Sequence, residues 1–153
     1  MRVLIAAVGR LRAGPLRDLY DDYMGRLPWT ADLREFEAAT GRSAAERQRR
    51  EADLILAAVP QGAVLIALDP RGRALTSEDF AKKIGQWRDG GAGALAFAIG
   101  GADGFDDRVR EKAQLVLSFG SPTWPHMLVR VMLAEQLFRA SSILSGHPYH
   151  RAG

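Results

Sequence analysis

At 153 residues, 47% of them hydrophobic, the chain suits one compact domain and is too apolar to stay disordered. Its 21 Lys and Arg against 18 Asp and Glu give a net charge of +3, which permits a polyanionic partner without demanding one. The lack of cysteine excludes disulfides and thiol catalysis and fits a cytoplasmic protein, and no apolar run reaches the roughly 18 residues needed to cross a membrane.

Apolar runs alternate with helical patterns along the chain. Residues 2–8 form a continuous apolar run ending in Gly9-Arg10. It is short and lacks a cleavage pattern, so it reads as a first strand rather than a signal peptide. Residues 15–27 predict a helix, with Pro15 in its first turn and Leu16, Leu19, Tyr20 and Tyr23 on one face. A weaker strand is expected at 32–38. Ser43 and Glu46 then form a capping box that opens a helix running to about Val59. Residues 63–68 are a second buried strand, followed by an Asp69-Pro70-Arg71-Gly72 turn. A helix capped by Thr76 or Ser77 and reaching about Trp87 leads to a third strand at 94–99, and a glycine-rich segment ends that strand. A short charged helix at 106–112, a strand at 115–119 and an irregular segment at 120–125 precede the longest helix, about 127–144. The tail from Ser145 is read as non-helical.

Fully apolar strands separated by helices predict an α/β fold, a mostly parallel sheet with helices on both faces, in a single domain over 1–153. Ligands in such folds sit beyond the carboxyl ends of the strands. Two loops there are unusual. Gly100, Gly101 and Gly104 let a ligand approach the backbone, with Asp103 beside them disfavouring a polyphosphate. Gly120, Pro122 and Pro125 keep the next loop irregular and its backbone groups free. Gly91-Ala92-Gly93 begins a dinucleotide-like string but precedes a strand instead of following one, and no phosphate-binding or nucleophile-elbow motif is present. The three histidines, His126, His147 and His150, lack metal-ligand spacing, so no metal is expected. On the long helix Leu128, Val131, Met132, Ala134, Leu137, Phe138 and Ile143 cover more than half the circumference, which predicts burial on two sides, core and dimer interface. Glu135 and Arg139, four apart, predict a helix-surface ion pair. His147, Tyr149, His150 and Arg151 combine stacking, hydrogen bonding and phosphate contact.

Several blocks carry a family resemblance. They are Leu-Asp-x-x-Gly at 68–72, Ile-Gly-Gly-x-x-Gly at 99–104, Pro-His-x-Leu-Val-Arg-Val at 125–131, Ala-Glu-Gln-Leu-Phe-Arg-Ala at 134–140 and His-Pro-Tyr-His-Arg at 147–151. In this order they closely resemble the bacterial large-subunit rRNA methyltransferase H family, small SPOUT-class enzymes that methylate N3 of a pseudouridine in 23S rRNA. The resemblance implies a C-terminal trefoil knot, S-adenosylmethionine as methyl donor without a metal, a homodimer and an assembled ribosome as substrate. It places the donor against Leu68, Gly100, Gly101, Gly104, Phe119, Gly120, Ser121, Pro122, Thr123 and Trp124. It assigns Arg130, His147, Tyr149, His150 and Arg151 to RNA, and His126, Arg139 and Arg151 to the reacting centre. The Ser-Pro-Thr-Trp loop departs from the small or aliphatic residues common in relatives, and Pro122 removes a backbone donor there.

Methylating an imide nitrogen requires its proton to leave. His126 is a candidate acceptor, because histidine is the side chain suited to proton exchange near neutrality; Arg139 or Arg151 would instead stabilise the deprotonated imide. Two readings compete: a non-catalytic ribosome-binding factor of the same fold, and a flavodoxin-like nucleotide-binding enzyme.

Overall fold

A computed structural model describes residues 1–151. Five strands, β1 (Arg2–Val8), β2 (Thr30–Phe36), β3 (Val64–Ala74), β4 (Ala94–Ile99) and β5 (Leu115–Ser118), form one sheet in the order β2-β1-β4-β3-β5. Every pairing is parallel. Helices α1 (Pro15–Arg26), α2 (Ala44–Ala58), α3 (Ser77–Asp89), α4 (Asp107–Lys112) and α5 (His126–Ser145) connect and follow the strands. Alternating strand residues feed two cores. Val3, Ile5, Ile66, Leu95 and Phe97 pack with α1, α3 and α5, while Leu4, Ala6, Leu65, Ala67 and Ala96 pack with α2 and α4. Both faces are thus covered, which is why the central strands read as unbroken apolar runs. The edge strand β2 alternates instead between exposed and half-buried residues.

Local signals end most elements where expected. The Ser43 hydroxyl accepts the Glu46 backbone N–H at 3.1 Å, and the Glu46 carboxylate accepts Arg42 N–H, a variant of the expected capping box. Thr76 caps α3 through Asp79 N–H at 3.0 Å. Gly146, at φ 76°, closes α5 in the left-handed conformation.

Two expectations fail. Residues 69–72 are not a simple turn: β3 continues to Ala74, and its pairing with β5 jumps from Leu68 to Arg73, both opposite Leu117. The intervening residues bulge over β5, where a Cβ on Gly72 would lie 2.5 Å from the Val116 carbonyl oxygen. Only glycine fits that crossing. The tail is also more regular than expected, with a short 3-10 helix at Pro148–His150.

The largest fully buried side chain is Arg130 on α5. Its Nη1 donates to Glu35 Oε2 on β2 at 2.6 Å, and its Nη2 donates to the carbonyls of Val8 and Gly9 at 3.3 and 3.0 Å. Burial pulls the guanidinium below its ordinary pKa, opposed by the Glu35 charge. Arg130 is therefore structural, and its expected role in RNA contact is corrected: no face of it reaches solvent. Removing one member of a buried pair strands the other, so Arg130→Ala is expected to cost about 3–5 kcal/mol in urea unfolding. A loss below about 1 kcal/mol, the range of an exposed pair, would contradict this placement.

Candidate active site

The carboxyl ends of β3, β4 and β5 open on a single cavity of about 220 Å³. Leu68, Ile99, Leu117, Phe119 and Trp124 supply apolar wall, while Gly100, Gly101, Gly104 and Gly120 expose backbone. Pro122, Thr123 and His126 complete the rim on the α5 side. Of the residues assigned to donor contact, Ser121 alone lies outside this lining, exposed on the loop. Three hydrogen bonds hold the irregular loop: Trp124 Nε1 donates to the Phe119 carbonyl at 3.1 Å, Gly120 N–H donates to Ser118 Oγ at 3.1 Å, and Ser118 Oγ donates to the Gly120 carbonyl at 3.0 Å.

Close packing beneath residue 101 leaves little room for a side chain there. A Cβ there would stand 3.0 Å from Val8 Cγ1 and 3.3 Å from Glu51 Oε1. Glu51, buried on α2, accepts Ala39 N–H at 2.9 Å through Oε2, whereas Oε1 has no partner among the described residues. Asp103 in the same loop is clamped by Arg47, whose Nε donates at 2.8 Å and Nη2 at 3.2 Å. Gln48 also donates to the Asp103 carbonyl. On the opposite wall Asp69 is buried, bound by Arg71 N–H at 2.8 Å and by Arg110 Nη1 at 3.2 Å. Neither Asp103 nor Asp69 offers an uncompensated charge to a ligand.

These contacts set the acid behaviour of the site. Burial pushes the Asp69 carboxyl up, but the hydrogen bonds from Arg71 and the charges of Arg71 and Arg110 outweigh it, leaving the pKa lowered. Arg47 lowers Asp103, and the Arg108 backbone N–H lowers Asp106.

His126 is the first residue of α5 and packs against the end of β1: a Cβ on Gly9 would lie 3.5 Å from its Cε1. Its Nδ1 is buried with no hydrogen-bond partner among the described residues. Apart from Arg130, the other residues assigned to chemistry and RNA lie toward the far end of α5 and in the tail. The expected pair forms, Arg139 Nη2 donating to Glu135 Oε1 at 2.6 Å. Tyr149 donates to that same oxygen at 3.2 Å, and its ring lies 4.6 Å from that of Phe138. Arg139 sits over the Tyr149 ring at 5.1 Å, and Arg26 over Phe138 at 4.6 Å. Burial, Tyr23 and the Glu135 charge raise the Tyr149 hydroxyl above its usual pKa. His147 caps the 3-10 helix by accepting Tyr149 N–H at 3.2 Å, His150 Nδ1 meets the His147 carbonyl, and Arg151 is exposed. His126 and Arg139 are thirteen residues apart on one helix, roughly 20 Å along its axis. The single chain therefore does not bring them together. Sequence reasoning missed Arg26, Glu51 and Arg47; Arg26 carried the only signal, a cation in the last turn of α1, and its stacking partners are distant in sequence.

Among the described residues no group of three or more His, Asp or Glu side chains could hold a metal ion, and no helix is long and apolar enough to cross a membrane.

A glycine-lined cavity at the carboxyl edge of a parallel sheet, rimmed by an irregular loop, defines a small-ligand site of the α/β class. Residues 1–150 match the family model described as a predicted SPOUT methyltransferase. The chain is 59% identical over 152 residues to the ribosomal RNA large subunit methyltransferase H of Rhodospirillum centenum, covering 99% of this chain and 100% of that one. It is 55% identical over 151 residues to the protein of the same name from Paramagnetospirillum magneticum, covering 99% of each. The chain belongs to the ribosomal RNA large subunit methyltransferase H family of SPOUT methyltransferases. Its fold is shared with a probable methylase family protein from Haemophilus influenzae, at a TM-score of 0.61 and 11% identity over 98% of this chain and 70% of that one.

A group whose folded pKa is depressed contributes stability above its unfolded value and loses it as pH falls through the folded one. The urea midpoint should accordingly hold from neutrality to about pH 5 and fall as pH drops below about 4, the unfolded carboxylate value. Replacing the Arg47–Asp103 pair by Arg47→Gln with Asp103→Asn should make that acid limb shallower. An unchanged limb would contradict the clamp.

Proposed function

We propose that this chain transfers a methyl group from S-adenosylmethionine to N3 of a pseudouridine in 23S rRNA, acting in the cytoplasm on the assembled ribosome. The observation that carries the reading is the cavity itself, lined by Leu68, Gly100, Gly101, Gly104 and the 119–124 loop, with His126 on its rim. The residues fit such a donor. Apolar walls from Leu68, Ile99 and Trp124 suit an adenine ring, and exposed backbone at Gly100 and Gly120 suits its polar edges. Bound there, the sulfonium would supply an electrophilic methyl group and no metal would be needed. The chain's own part is positioning and handling of the N3 proton. His126 has an unpartnered ring nitrogen beside the cavity and is the proposed acceptor.

The reading includes a homodimer. Leu16 and Leu19 are exposed on α1, and Leu128 and Met132 are half-buried on the neighbouring face of α5. A groove bounded by Leu19, Tyr23, Leu128 and Met132 runs along that face, an apolar surface of the kind that marks an interface. In this reading, pairing of two chains brings the Arg139–Tyr149 end of one to the cavity of the other, and the separation along α5 supports it. A trefoil knot at the C-terminal end is part of the same reading, supported by the tight crossing of Gly72 over β5 and by α5 packing between α1 and α3.

Incubating the protein with 70S ribosomes and methyl-labelled S-adenosylmethionine should place label in 23S rRNA. Truncation after Gly146 should abolish transfer and leave donor binding by calorimetry unchanged; an active truncated protein would remove the tail from the reaction. His126→Gln should lower turnover by about 10²-fold or more with donor affinity kept, the range for loss of a general base. Unchanged turnover would eliminate His126 as acceptor.

A further inference from the structure

The segment between β1 and α1 carries two cations that nothing in the fold uses. Arg10 and Arg12 are exposed, and among the described residues neither makes an ion pair or a side-chain hydrogen bond. Most other arginines in the chain are paired, as Arg47, Arg71, Arg108, Arg110 and Arg139 show. Arg34, Arg42, Arg49, Arg73 and Arg151 also lack an ion pair among the described residues, but Arg10 and Arg12 are distinguished by flanking a buried residue, Leu11, in a segment held at the carboxyl end of β1.

Their backbone is held in place. Gly9 N–H donates to the Phe36 carbonyl at 2.6 Å, and Leu11 N–H donates to Glu35 Oε2 at 2.6 Å. The same Glu35 oxygen receives Arg130 Nη1, while Arg130 Nη2 binds the Val8 and Gly9 carbonyls. A buried ion pair gives little stability that apolar residues would not give, so its use here is geometric: it fixes one conformation of this segment. The two cations are thus presented from a rigid frame.

The frame adjoins the candidate site. Gly9 packs against His126 and Met127, with a Cβ there 3.5 Å from His126 Cε1 and 2.9 Å from Met127 Cε. Val8 packs beneath Gly101 of the cavity wall. Two exposed arginines in the segment that follows Gly9, without side-chain partners among the described residues, suit a polyanion whose reactive group enters the cavity. Guanidinium forks match phosphate oxygens in pairs.

We propose that Arg10 and Arg12 form a phosphate clamp that grips the RNA backbone next to the target nucleotide. The inference rests on the RNA-methyltransferase reading above and deepens it by assigning a docking element that neither the tail nor Arg130 supplies. Its contribution is electrostatic and nearly independent of base sequence, so it is read from the salt dependence of binding.

The test compares binding of 70S ribosomes by the full-length protein and by the Arg10→Gln/Arg12→Gln double variant between about 50 and 200 mM salt. The double variant should bind more weakly, with a slope of log affinity against log salt shallower by about 2, one unit for each lost phosphate contact. Arg10→Lys/Arg12→Lys, which keeps the charges, should retain most of the slope. Donor binding and melting temperature should match the wild type in both variants. An unchanged slope in the glutamine variant would overturn the clamp, as would a loss of donor binding, which would place these residues in the cavity instead. Failure of the wild type to label rRNA would refute the methyltransferase reading separately, because the salt slope is measured without turnover.

Discussion

A guanidinium with no access to water ties the carboxyl edge of the sheet to its longest helix. Arg130 bonds Glu35 on β2 and the final carbonyls of β1, so β1, β2 and α5 are locked at one point. From that point α5 runs back to His126 at the cavity and forward to the Arg139–Tyr149 cluster. The Arg130–Glu35 pair also holds the β1–α1 segment, whose Leu11 N–H shares the same Glu35 oxygen. A charge buried this completely is expensive unless every donor is answered; here Nε alone lacks a partner among the described residues.

Electrostatics elsewhere serve the same end. The loops around the cavity are rich in charge, yet Asp69, Asp103 and Asp106 are each satisfied by arginines or backbone N–H groups. That leaves a cavity whose recognition surface is apolar wall and exposed backbone. A largely apolar ligand with hydrogen-bonding edges is the chemistry such a lining accepts.

Much of the architecture was legible in the sequence because burial on both faces leaves a direct trace. The runs at 2–8, 63–68 and 94–99 are apolar without alternation, and they became the three central strands. Caps at Ser43 and Thr76 and the glycine at 146 marked helix ends through contacts a few residues long. What escaped was non-local. Residues 69–72 have turn chemistry, but their bulge within β3 depends on β5, a strand more than forty residues away. The family resemblance assigned Arg130 to RNA, and its partner Glu35, 95 residues earlier, left no local trace in the sequence. Strand order and the partners of Arg26 and Arg47 were invisible for the same reason. The glycine and proline loops were legible as ligand-facing segments, since their composition forbids regular structure; the nature of the ligand came from family resemblance.

The central claim is that these loops, completed by the tail, direct one methyl group to one RNA nucleotide. Mass spectrometry of 23S rRNA from a strain lacking the corresponding gene, with and without this chain supplied in trans, measures it directly. The account predicts a pseudouridine that lacks an N3 methyl group in the deletion strain and regains one when the chain is present. A 23S rRNA whose methylated nucleotides are identical in both strains would contradict it.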